Sequence, residues 1–121
     1  MVSEYQYITV ADLESYHGDI NYNDQFGLDD GVVEANISLA ERNVNKIKRT
    51  SYTGTIPDDV VAATLLMAKR LMNNLIIEFG YGSEGEQIVP IIDELVLNIL
   101  SDTTTKYDFK LIRNITSRFF E

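Results

Sequence analysis

The sequence predicts an all-α protein: a small bundle of three main helices over residues 1–100, preceded by a short N-terminal helix, with an extended C-terminal arm over 101–121. Three observations carry this. Val33, Ile37, Ala40, Val44 and Ile47 recur at steps of four, three, four and three, the spacing of one helical face. The stretch from Val60 to Ala68 is apolar apart from Thr64, in a segment that opens at Pro57 and closes at Gly80. Ile91, Ile92, Leu95, Val96, Ile99 and Leu100 repeat a helical pattern further on. With 45% apolar and 24% charged residues in a 121-residue chain, a real core is affordable and general disorder is excluded.

The first helix is expected over about residues 10–17. Thr9-Val10-Ala11-Asp12 has the form of a capping box with Asp in place of Glu, and Gly18 is the stop. Residues 18–30 are dense in Gly, Asn and Asp and read as a loop. From Gly31 a long amphipathic helix follows. Asp29 or Asp30 can cap it, and Lys46, Lys48 and Arg49 complement its C-terminal dipole. Ser51 to Thr55 is a turn. Pro57 fits the first position of the next helix, whose first turn carries Asp58 and Asp59.

That helix is apolar all round in its first half, with polar residues at 69, 70, 73, 74 and 78 forming only a narrow stripe later. Such a helix must be covered on all sides, by the other helices as a central core element or by a neighbouring subunit. A third main helix is expected from Val89 to Leu100 with Pro90 in its first turn, and Asp93 and Glu94 on its outer side. Beyond the linker at 101–105, Tyr107 to Leu111 alternates like a strand, while Ile112, Ile115 and Phe119 follow helical steps.

Charge is polarised along the chain. The formal total is −9, and residues 1–41 hold nine acids without a single Lys or Arg, so this third carries the whole excess. An acidic domain is repelled by nucleic acid. The acids of the loop region (Asp12, Glu14, Asp19, Asp24, Asp29 and Asp30) form either a solvated surface or one that faces a basic partner or keeps DNA from adhering. There is no cysteine, which excludes disulfides, thiolate metal sites and a cysteine nucleophile. No signal peptide is expected from the opening residues, and the nine-residue apolar run is too short to span a bilayer, so no membrane is expected as partner.

Catalysis finds little support. The single histidine, His17, falls at the end of the first helix, where a dipole-compensating cap is the ordinary role. Gly80 to Gly85 is glycine-rich but follows a helix, which suits a C-cap and not a phosphate loop. Asp19, Asn21, Asn23 and Asp30 match positions 1, 3, 5 and 12 of a calcium loop. Asp24 then stands where the turn needs Gly, and Asp30 where a bidentate Glu belongs. An Asx-turn loop is the reading, with calcium as the lesser alternative. No enzyme activity and no cofactor is expected.

The order of these features resembles a known family. Thr9 to Leu13 opens the pattern, followed by an acidic loop and the Ala- and Glu-bearing helix from Val33 to Lys48. A Tyr-Thr-Gly turn, Ile56-Pro57 and the Ala-rich apolar helix from Val60 to Leu75 complete it. Over roughly residues 7–80 the chain resembles the small head-tail connector (adaptor) proteins of tailed bacteriophages and related viruses. The resemblance implies a structural virion protein at the head-tail junction, assembled in the host cytoplasm. It implies a homo-oligomeric ring of about twelve copies beneath the portal that extends the DNA channel and docks a tail-side stopper. DNA would pass through without specific binding, beside the acids of residues 12–30. The arm, with Tyr107, Phe109, Leu111, Ile115, Phe119 and Phe120 beside Arg113 and Arg118, would be the contact to portal or sister subunits. The alternative from another class is a small acidic helical regulator, antitoxin-like or transcription-modulating, acting as a dimer on a basic protein.

Overall fold

A computed structural model describes residues 3–80 and 90–101. Among these the fold is all-α. Five helices follow in order: α1 (Val10–Tyr16), α2 (Tyr22–Phe26), α3 (Asp30–Lys48), α4 (Asp58–Glu78) and α5 (Glu94–Ile99). The arm residues Tyr107, Phe109, Leu111, Arg113, Ile115, Arg118, Phe119 and Phe120 lie outside the described residues, as does most of the glycine-rich stretch after Gly80.

Local chemistry explains the first helix. The Thr9 side chain accepts from the Asp12 amide at 3.1 Å, and the Asp12 carboxylate accepts from the Thr9 amide at 3.0 Å, so the capping box forms as the sequence predicts. Ile8 before the cap and Leu13 in the first turn are both buried, the positions of a hydrophobic staple. Gly18 and Asp19 then take left-handed backbone at φ 77° and 59°, which reverses the chain.

The expected loop at 18–30 contains a helix instead. Asn21 caps α2 by accepting from the Asp24 amide at 2.9 Å, and Gly27 closes it in the left-handed conformation at φ 69°. Five residues are far below the length at which a helix stands alone. What holds this one is Tyr22, fully buried in the core.

The long helix α3 starts on the Asp29 cap, whose side chain accepts from the Val32 amide at 3.0 Å. Val33, Ile37, Ala40 and Val44 are fully buried and Ile47 packs against the same core, so the predicted face is the inward one. Lys48 reaches across the bundle to Asp59 and to the Leu100 carbonyl, both at 3.4 Å, joining the end of α3 to the start of α4 and the end of α5.

Pro57 is the cap residue of α4 and not its first helical residue, and Asp58 opens the helix. α4 is the central element, packed on α3, α5 and α1. Val60, Ala63, Thr64, Leu66, Met67, Ala68, Met72 and Ile76 are its buried residues. By length and hydropathy α4 could cross a bilayer, and half of that window is buried within the fold. Cover on three sides thus comes from the chain's own helices. Two residues of the polar stripe are engaged: Lys69 sits over the Tyr16 ring, and Arg70 pairs with Asp93 at 2.9 Å.

That pairing resets the last helix. Residues 90–93 are not helical, and α5 begins at Glu94 because Asp93 caps it by accepting from the Val96 amide at 3.2 Å. Leu95, Val96, Ile99 and Leu100 face inward as expected, whereas Ile92 is exposed. Burial pushes the Asp93 carboxyl up, but the Arg70 and Val96 bonds outweigh it and hold it below 3.8. A depressed carboxyl contributes stability above its unfolded value and loses it as pH falls through the folded one. Asp93→Ala is expected to cost about 1–2 kcal/mol at neutral pH through loss of cap and ion pair, and urea titrations should show that difference shrinking under acid conditions.

Candidate functional site

The acids singled out in the sequence sit on α1, in the turn after it, on α2 and at the start of α3, with α1 and α2 each packed on α3. Asp12, Asp19, Asp24, Asp29 and Asp30 are exposed, and Glu14 is half-buried. Asp12 and Asp29 are also engaged as caps, and Glu14 accepts from the Tyr22 amide at 3.0 Å. These carboxylates therefore build the fold and an acidic surface at once.

The calcium-loop reading is corrected by the same geometry. Residues 22–26 are helical, Asn21 is engaged as the α2 cap, Asn23 lies inside that helix and Asp30 begins the next. Chain that would wrap a cation is wound into α2. Among the described residues no three His, Cys, Asp or Glu side chains gather as a metal site.

His17 caps the end of α1, where the sequence places it, but its ring compensates no dipole. Its Nδ1 meets the Tyr22 hydroxyl at 2.8 Å, with the two rings tilted at 59°. Burial, and then the nearby Lys69 charge, lower its pKa below 6.5. The unfolded chain therefore binds a proton more readily than the folded one. Stability from this site is present above pH 6.5 and falls as pH drops toward the folded value. A thermal-melting series across that window should show this slope, and His17→Gln should remove it.

Two acids do something that periodicity does not announce. Glu41 is fully buried. Its Oε2 accepts from the Ser3 hydroxyl at 2.9 Å and the Tyr7 amide at 2.8 Å, and its Oε1 accepts from the Tyr5 amide at 3.0 Å. One turn earlier the Ser38 hydroxyl accepts from the Glu4 amide at 2.9 Å; one turn later Asn45 Oδ1 accepts from the Tyr7 hydroxyl. That hydroxyl in turn accepts from the Tyr52 amide at 3.0 Å. Outside, Arg42 pairs with Glu4 at 2.6 Å. Residues 3–8 are thus strapped along α3 without regular secondary structure of their own.

Glu34 is the second. It is 9% exposed, and its Oε2 has no hydrogen-bond partner among the protein's groups. It lines a cavity of about 260 Å³ between the strap, α1 and α3. The one signal that could have found both acids is their seven-residue spacing. Residues a heptad apart on a helix lie within about 20° of each other, here beside Ile37 and Val44.

The apolar surface is spread over several elements. Phe79 after α4 is 55% exposed, Leu97 on α5 50% and Leu39 on α3 42%, too exposed to belong to the core. No family model matches this chain, and neither a curated protein nor a solved structure does.

Proposed function

We propose that the chain is a structural subunit that assembles with copies of itself into a ring, as a head-tail connector docked on a viral portal, with a stopper or tail protein on its far side. The observation that carries this reading is the surface that folding leaves. Five acids on or beside α1, α2 and the start of α3 stand exposed, while Phe79 after α4, Leu97 on α5 and Leu39 further along α3 present large apolar side chains. A heterologous contact joins unlike patches and makes a ring where its rotation closes. The order of elements supports it too: a capped short helix, an acidic connection, a long amphipathic helix and a core helix after Pro57 follow one another as the resemblance implies.

In this reading the work is mechanical and electrostatic. Asp12, Glu14, Asp19, Asp24, Asp29 and Asp30 face the channel, where like charge keeps passing DNA from adhering. Sedimentation of the 13.7 kDa chain across a wide concentration range is the test, with negative-stain microscopy of the largest species. The expected result is a closed ring near 160 kDa, about twelve copies. A dimer of fixed size at every concentration would overturn the reading in favour of the acidic regulator.

A further inference from the structure

The outer side of α3 carries a second stripe. Val32, Ala35, Leu39, Arg42, Lys46 and the C-cap Arg49 are all exposed, and they recur at steps of three, four, three, four and three. At about 100° per residue this line runs nearly opposite the buried one. Alternating steps of three and four seat the side chains of one helix between those of another. The first half of the stripe is apolar and the second half is basic.

Charge points to a second copy as the cover. Among the described residues, the exposed Lys and Arg side chains all stand on this line, while Lys48, Lys69 and Arg70 are half-buried. The chain as a whole carries −9, so another copy offers the line acids in excess. With the acids of residues 12–30 turned to the channel, α5 is the face that joins an acid to a large apolar side chain. Glu94 and Leu97 are exposed and lie one turn apart on it, whereas Glu78 and Phe79 are adjacent and point about 100° apart. Run antiparallel, the intervals match. Leu39 to Arg42 and Leu97 to Glu94 are each three residues, about 4.5 Å along the axis, so Leu39 meets Leu97 where Arg42 meets Glu94. The pair that Arg42 makes with Glu4 lies on the surface, where an ion pair is worth little and a new partner can replace it.

We propose that the outer face of α3 on one copy docks antiparallel on the outer face of α5 on the next. Leu39 and Leu97 are its apolar centre, and Glu94 faces Arg42 with Lys46 one turn beyond. The two faces are unlike, so the contact is heterologous and every copy keeps one of each for its two neighbours. This interface rests on the ring reading and supplies its contact.

Sedimentation of two variants, each alone and then mixed, is the test. Leu39→Glu blocks the α3 face and Leu97→Glu the α5 face; both positions are exposed, and circular dichroism checks that the helices are retained. Each variant alone should stay monomeric at concentrations where the parent assembles. An equimolar mixture should give a dimer of about 27 kDa, two chains of 13.7 kDa, and nothing larger, because one intact face of each kind remains. Glu94→Lys should weaken assembly of the otherwise unaltered chain about tenfold, and adding Lys46→Glu to it should recover most of that loss. If both leucine variants assemble as the parent does, copies meet through other surfaces: the α3–α5 interface is overturned and the ring reading stands. Dimers of the Leu97→Glu chain by itself, or a mixture that stays monomeric, overturn the interface as well. A parent that is monomeric at every concentration overturns both and leaves the α3 face to an acidic partner of another kind.

Discussion

Glu41→Ala is expected to destabilise the fold by about 3–5 kcal/mol, a large share of the roughly 5–15 kcal/mol available to a domain of this kind. The carboxylate is fully buried and accepts from the Ser3 hydroxyl and the Tyr5 and Tyr7 amides. Removing it strands all of these donors. Each one that stays buried without an acceptor costs about 1–3 kcal/mol, and the strap can limit the loss by peeling toward water. That escape has its own cost, because it exposes Tyr7 and Ile8, which are 5% and 3% exposed in the fold.

Glu41→Gln separates charge from shape. The amide keeps one acceptor oxygen but turns an NH2 toward a donor, so about 1–3 kcal/mol is expected. Urea denaturation measures both variants, and hydrogen exchange at the Tyr5 and Tyr7 amides reports the strap itself. A Glu41→Ala variant within about 1 kcal/mol of the parent would show that the strap contributes little to stability.

Tyr22→Ala is expected to cost about 3–5 kcal/mol, the range for truncating a buried aromatic residue. Tyr22 is fully buried, and its hydroxyl meets His17 Nδ1 at 2.8 Å. Burial raises its phenol pKa well above 10, with the Glu14 charge adding to the effect. The ring therefore stays neutral throughout the physiological range. Tyr22→Phe keeps the packing and loses the bond to His17, so about 1 kcal/mol is expected. If the two variants cost the same, the hydroxyl and not the ring carries the site, and α2 would need a different explanation. Circular dichroism during unfolding should show a cooperative loss in both cases, since α2 has no stability apart from the core.

Much of the fold was legible because the signals are local. Thr9 and Asp12 form their box within three residues, Asp29 reaches the Val32 amide, and Val33, Ile37, Ala40 and Val44 share a face by spacing alone. The exposed acids of the candidate surface were legible too, as a one-sided charge count. Helix α2 was not. Asn21, Asn23, Asp24 and Gly27 read as turn formers, and a helix of five residues holds only with Tyr22 buried. Nor was the start of α5, where a proline suggests an earlier turn but the Arg70–Asp93 pair places the cap three residues later.

The sequence by itself determined the helical class, the main helix faces and the polarity of charge, since periodicity and capping act over a few residues. Tertiary structure alone decided which acids are surface and which are interior. Glu34 and Asp30 are both acidic and one turn apart on α3, yet one is buried and the other exposed. Glu41 lies on the same helix under residues 3–8, more than thirty positions away in the chain. Helical spacing says where a side chain points, and only the segment that arrives to cover it says whether water is still there.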